Sequence, residues 1–192
     1  MEKEALKLTV QQLPRVAEKL HAGDRVLLSG TIYTARDAAH KRMFQMLDRG
    51  EKLPFPMKGS VIYYAGPTPG QQGMAVGSCG PTTAGRMDKF APRLLDLGLL
   101  AMIGKGGRSA EVKDAIVRNG AVYFAAVGGA GALIAKCIET AEVIAFDDLG
   151  CESVKKMTVK DFPLTVAIDA KGNDLFEQGR EEYRQELPHR NS

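Results

Sequence analysis

The chain has 192 residues, 44% of them hydrophobic and 26% charged, which is enough for one domain with a real core and does not demand two. A net charge of +3, with 6% aromatic residues and no Trp, excludes both the strongly basic footprint and the stacking platform of a nucleic-acid binder. No apolar run reaches the length of a membrane span, and the charged start MEKEALKLTV lacks a signal-peptide core, so a cytoplasmic location is expected.

The middle of the chain repeats one device: a short apolar run, a glycine-rich bend, then a helix start. Arg25 to Ser29 reads as a strand, and Gly30 opens a bend. Thr34 with Asp37 three residues on has the spacing of a capping box, with Asp in place of Glu. Ala39, Met43, Met46 and Leu47 follow at helical spacing, and Gly50 suits a stop. Val61 to Ala65 predicts the next strand and GPTPGQQG a turn; Met74 to Val76 predicts a short strand entering GSCGPTTAGRMD.

That motif predicts a helix starting at Thr83, whose side chain would cap free N–H groups, with Arg86 in the first turn. Open amides, a positive helix end and a guanidinium would then face one small space, suited to a carboxylate or phosphate. Met87, Phe90, Ala91, Leu94 and Leu95 continue an apolar stripe, Pro92 predicts a kink or restart within it, and Gly98 closes it. Leu99 to Ile103 predicts a strand feeding GKGGRS, with Ser109 as the cap of a helix through Val112, Ala115 and Ile116. Ala121 to Val127 predicts a strand feeding GGAGA and a helix through Leu133, Ile134 and Cys137. Val143 to Phe146 and Leu164 to Ile168 read as strands. Lys171-Gly172-Asn173 reads as a turn, and residues 180–192 as a polar tail, either frayed helix or disorder, after a single domain over 1–179.

Strands alternating with helices predict an α/β fold that binds ligands beyond the C-terminal strand ends, where the glycine bends would gather. Those bends carry Arg36, Arg86, and Lys105 with Arg108. One arginine near a helix start is ordinarily just solvated; several on such bends point to a shared pocket. Guanidinium forks match carboxylates in a two-pronged way, so the set suits a dicarboxylate. Thr82 lies beside them, and cations and helix amides would help a threonine hydroxyl act as a base; its plainer reading is the residue before a cap. His40 falls near the same place, whereas His21 and His189 read as surface residues.

Other chemistries fit less well. GKGGRS is not the GxxxxGK[ST] phosphate loop, and GGAGA lacks the third glycine of a dinucleotide loop. Cys79, Cys137 and Cys151 are odd in number and widely spaced, which reads as reduced thiols, with Cys79 nearest the pocket, and not as a disulfide framework or a metal site.

GSCGPTTAGRMD, SGTIYTARDAAHKRM, MIGKGGRS and DLGCESVKKMTVKDFPLTVAIDAKGNDLF together resemble the beta subunit of class I fumarate hydratases and L-tartrate dehydratases, from about Leu6 to Gly179. The resemblance implies a single swivelling domain of the β/β/α type with a mixed sheet. It also implies an iron–sulfur hydro-lyase completed by a separate alpha subunit, which would hold a four-iron–four-sulfur cluster through three cysteines of its own. By motif, Thr82 matches the base that takes the proton beside a carboxylate; Arg86, Arg36 and Lys105 match the cationic substrate contacts. The acid for the leaving hydroxyl would come from the alpha part. Reversible hydration of fumarate to malate is the leading expectation. Dehydration of L-tartrate to oxaloacetate is the near alternative, and a non-catalytic small-carboxylate-binding module is the alternative of another class.

Overall fold

In a computed structural model that describes residues 4–127 and 129–186, seven strands form one mixed sheet with six α-helices. The strands are β1 (Leu6–Thr9), β2 (Arg25–Thr34), β3 (Val61–Tyr63), β4 (Ala101–Gly104), β5 (Val122–Ala125), β6 (Ile138–Ala145) and β7 (Val154–Ile168). The helices are α1 (Leu13–Val16), α2 (Asp37–Asp48), α3 (Ala91–Asp96), α4 (Ala110–Asn119), α5 (Gly131–Ala135) and α6 (Leu175–Glu186).

The sheet closes on itself. β2, β3, β4 and β5 pair in parallel, and β7 then runs antiparallel to both β5 and β2. Thr165 of β7 lies in register with Arg25 of β2 on one side and Ala125 of β5 on the other. Side chains alternate across each strand, so closure creates two cores. Val61, Tyr63, Ile103, Phe124, Phe162 and Val166 belong to the inner one. Ile62, Tyr64, Met102 and Tyr123 face outward and pack under Met43 of α2, Leu94 of α3 and Ile116 of α4. Burying each such side chain contributes about 1.5–3 kcal/mol. Being covered on both faces is why β3, β4 and β5 read as unbroken apolar runs.

Several sequence expectations change. Met74 to Val76 is irregular loop. Thr34 does not cap a helix: it ends β2, and its hydroxyl accepts a hydrogen bond from the Lys155 amide (3.1 Å). The residue before α2 is Arg36, with no side-chain cap, and Glu152 Oε2 accepts from the Ala38 amide instead (3.2 Å). No α-helix starts at Thr83. A single 3-10 turn spans Ala84–Met87, Thr83 is extended without a side-chain cap, and α3 restarts at Ala91 with Pro92 in its first turn. The helix-end contribution to an anion site there is therefore lost. Ser109 does cap α4, accepting from the Val112 amide (3.4 Å).

β7 is fifteen residues long, ten more than Leu164 to Ile168, and β6 begins at Ile138. The turn at Lys171–Asn173 is held by Asp169, whose carboxylate accepts from the Lys171, Asn173 and Ala22 amides. α6 carries the expected tail to Glu186; residues 187–192, with His189, lie outside the described residues, as does Gly128 of GGAGA. Among the described residues no helix is long and apolar enough to cross a membrane.

Candidate active site

β3, β4 and β5 end at one mouth of the closed sheet, and the glycine-rich bends gather there. Tyr63, inside, donates its hydroxyl to the Cys79 carbonyl (2.6 Å) and so anchors GSCG at the mouth. The next residues wedge between the ends of β3 and β4. The Thr82 amide donates to the Tyr64 carbonyl (2.7 Å), and Ala65 bridges Pro81. On the other side the Lys105 amide donates to the Thr82 carbonyl (3.2 Å) and the Ala84 amide to the Lys105 carbonyl (2.9 Å). Gly104 makes this possible: a Cβ there would stand 2.9 Å from Tyr64 and 3.0 Å from the Ala84 Cβ. Thr82 and Lys105 are thus held side by side by backbone, with Thr82 half-buried and Lys105 exposed.

Arg36 and Arg86 approach from the α2 side. Arg86 Nε donates to Asp37 Oδ1 (3.0 Å), tying the 3-10 turn to the first turn of α2. Arg36 Nη2 lies 3.2 Å from Glu152 Oε1. Its guanidinium crosses Gly66, where a Cβ would stand 3.0 Å from Nη1; Gly66 follows Ala65, the bridge partner of Pro81. An open depression of about 560 Å³ takes in Asp37, Lys41, Arg86, Lys89, Phe90 and Glu152. Of the four residues picked from the sequence only Arg86 lines it; Arg36, Thr82 and Lys105 do not.

Arg108 departs from expectation. Its side chain is wholly buried, with Nε donating to Asp88 Oδ1 (2.7 Å). Burial opposes its charge, but Tyr64 and Asp88 hold its pKa above the ordinary value. His40 is also enclosed, with Nδ1 2.8 Å from the Arg36 carbonyl and the ring stacked on Phe90. Burial, with Arg108 adding to it, lowers its pKa to about 4, so the ring is neutral and Nδ1 carries the proton given to that carbonyl. His40 Nε2, Asp37 Oδ2 and Arg36 Nε are buried without a hydrogen-bond partner among the described residues.

Sequence reasoning missed Asp37 and Glu152, the carboxylates that hold the two arginines. Asp37 pairs with Arg86, 49 residues on, and Glu152 with Arg36, more than a hundred residues back, so local spacing signals neither pairing.

The cysteines of this chain do not fit an iron–sulfur cluster. Cys79 is sealed in the core with its thiol pushed by burial to about 12, while Cys137 is partly buried and Cys151 exposed. Among the described residues no group of three or more His, Cys, Asp or Glu could hold a metal ion.

The model of the family described as Fumarase C-terminus matches residues 1–179. The chain is 42% identical over 173 residues to Fumarate hydratase 2 of Leishmania major, covering 89% of this chain and 30% of that protein. It is 43% identical over 156 residues to the aerobic class I fumarate hydratase of Escherichia coli (strain K12), covering 80% and 28%. A chain of Methanocaldococcus jannaschii provisionally named L(+)-tartrate dehydratase subunit beta is 41% identical over 167 residues, with 84% and 86% covered. The chain thus spans less than a third of those two fumarate hydratases and most of the subunit-sized relative. With the family model spanning all but the last residues and relatives above 40% identity, this chain belongs to the Fumarase C-terminus family.

Proposed function

We propose that this chain is the beta subunit of a hydro-lyase that reversibly hydrates fumarate to malate, completed by a separate alpha subunit. The observation that carries the reading is the backbone seam joining Thr82 to Lys105 at the mouth of the closed sheet, with Arg86 four residues beyond Thr82. Arg86, Arg36 and Lys105 grip the two carboxylates. Thr82 is the base: in the dehydration direction its deprotonated oxygen takes the proton from the carbon next to a carboxylate, and in hydration it returns that proton. The nearby cations favour the charged form of that oxygen. The 3-10 turn after Thr83 is too short to add a helix end to this effect.

The acid that protonates the leaving hydroxyl belongs to the alpha subunit. By the family resemblance the alpha subunit also holds the four-iron–four-sulfur cluster, and the scattered cysteines of this chain are compatible with that. Dehydration of L-tartrate is the second reading, favoured by the subunit-sized relative named for that activity. A cytoplasmic location goes with either.

Anaerobic co-production with an alpha subunit carrying three suitably placed cysteines, followed by assays on fumarate and L-tartrate, tests this. Activity of the pair on one of the two, with none from this chain alone, is expected. Activity of the chain alone overturns the two-subunit reading, and dicarboxylate binding without turnover by the pair leaves a binding module in its place.

A further inference from the structure

We propose that Arg108 is a positioning residue: clamped to Asp88, it locks the loop carrying Lys105 onto the turn carrying Arg86 and so fixes the spacing of two site cations. This rests on the roles assigned to Lys105 and Arg86 above.

Every nitrogen of the buried guanidinium is engaged. Nε donates to Asp88 Oδ1 (2.7 Å), Nη1 lies 3.3 Å from the Met102 sulfur, and Nη2 lies 3.4 Å from the Tyr64 hydroxyl. The guanidinium carbon lies 5.3 and 4.9 Å from the Tyr64 and Tyr123 ring centres, cation–π distances on both. Asp88 uses its second oxygen on the Ser109 amide (2.6 Å), and Tyr123 donates its hydroxyl to the Gly106 carbonyl (2.9 Å).

The loop is therefore pinned three times. Lys105 is joined to Thr82 and Ala84 by backbone, Gly106 to Tyr123, and Arg108 with Ser109 to Asp88, two residues after Arg86. Burying a guanidinium is costly, and an apolar side chain of that volume would pack as well or better. What the apolar side chain would lack is direction. A forked donor fixes both the orientation and the separation of the segments it joins.

The test uses the assembled two-subunit enzyme with Arg108→Lys, which keeps the charge and loses the fork. Tyr123→Phe serves as a second variant that removes only the Gly106 tether. Each is made with and without Lys105→Ala. Either clamp variant should raise KM for the dicarboxylate by about tenfold with a smaller change in kcat. Lys105→Ala should then cost at least about fivefold less in the clamp variant than in the parent, because the two act through one geometry. Additive losses, or an unchanged KM, overturn the proposal.

Hydrogen exchange on this chain alone gives a readout independent of activity. In Arg108→Lys the Ala84 and Lys105 amides should exchange faster while those of β6 do not. Uniform acceleration throughout would reduce Arg108 to a stabilising residue and overturn the proposal. If the parent assembly acts on neither fumarate nor L-tartrate, the functional reading fails, while the exchange pattern still decides the clamp.

Discussion

Asp37 Oδ1 accepts the Nε hydrogen of Arg86 at 3.0 Å, which fixes the arginine by its side and leaves both Nη groups without a partner among the described residues. The pair is partly exposed, 54% and 32% for the two side chains, so its Coulomb energy is screened and contributes about 0–1 kcal/mol. Its consequence is orientation. An arginine held at Nε presents its two terminal nitrogens end-on to an incoming carboxylate.

Asp37→Asn keeps the shape and removes the charge. Stability should change by less than about 1 kcal/mol, while KM for the dicarboxylate rises by about threefold to tenfold as Arg86 loses its fixed direction. Steady-state kinetics alongside a urea titration separates the two effects. A lower KM would mean that Asp37 competes with the substrate for the arginine instead of aiming it.

Thr82→Ala should lower kcat by about 10²–10⁴-fold and alter KM by no more than about threefold, since the hydroxyl moves a proton and the cations do the gripping. The backbone bonds through which residue 82 joins Tyr64 and Lys105 survive the change. Turnover close to that of the parent enzyme would remove Thr82 as the base.

Gly66→Ala places a methyl 3.0 Å from Arg36 Nη1 and 3.3 Å from the Cys151 carbonyl. The far end of an arginine gives way more readily than backbone, so Arg36 is expected to swing off Gly66 and away from Glu152. KM should rise about tenfold or more with the fold intact. Circular dichroism melting with kinetics checks it; normal kinetics would show that Arg36 does not need this seat.

His40 makes stability depend on pH. Burial lowers its pKa to about 4 from 6.5, so the unfolded chain binds a proton there before the folded one does. The stabilisation is complete above about pH 6.5 and is lost as pH falls toward about 4, on the order of 3 kcal/mol in all. His40→Phe fits the apolar contacts with Phe90 and Tyr64 and abolishes this titration. The urea midpoint should therefore drop less between pH 7 and about pH 5 in that variant than in the parent chain. Equal drops would place the acid sensitivity elsewhere.

Much of the fold was legible because its strands are buried on both faces. Val61 to Ala65 and Ala121 to Val127 are apolar without interruption, and a short apolar run between glycine bends has few other uses. β1 and the first ten residues of β7 escaped notice, since LKLT and VKKMTVKDFP mix charges with apolar residues as edge or half-exposed strands do. The expected helix at Thr83 failed for a different reason. Thr82 and Ala84 spend their backbone groups on Lys105, a partner more than twenty residues on, and a chain committed to that seam is not free to coil.

Local spacing pointed at Arg36, Arg86, Lys105 and Arg108 on bends after strands, with Thr82 beside them; the family resemblance gave Thr82 its role as base. Local spacing can do the former because it reports which residues share one turn. Closure of the sheet was beyond its reach, as were the carboxylates that hold the arginines and the burial of Arg108, which the sequence pattern had pointed at the pocket. Each of those depends on which distant segments meet: Glu152 on Arg36, β7 between β2 and β5, Asp88 against Arg108. The chain's own pattern fixes what each segment can offer; tertiary packing decides whether a charge is turned toward a ligand or satisfied inside the protein.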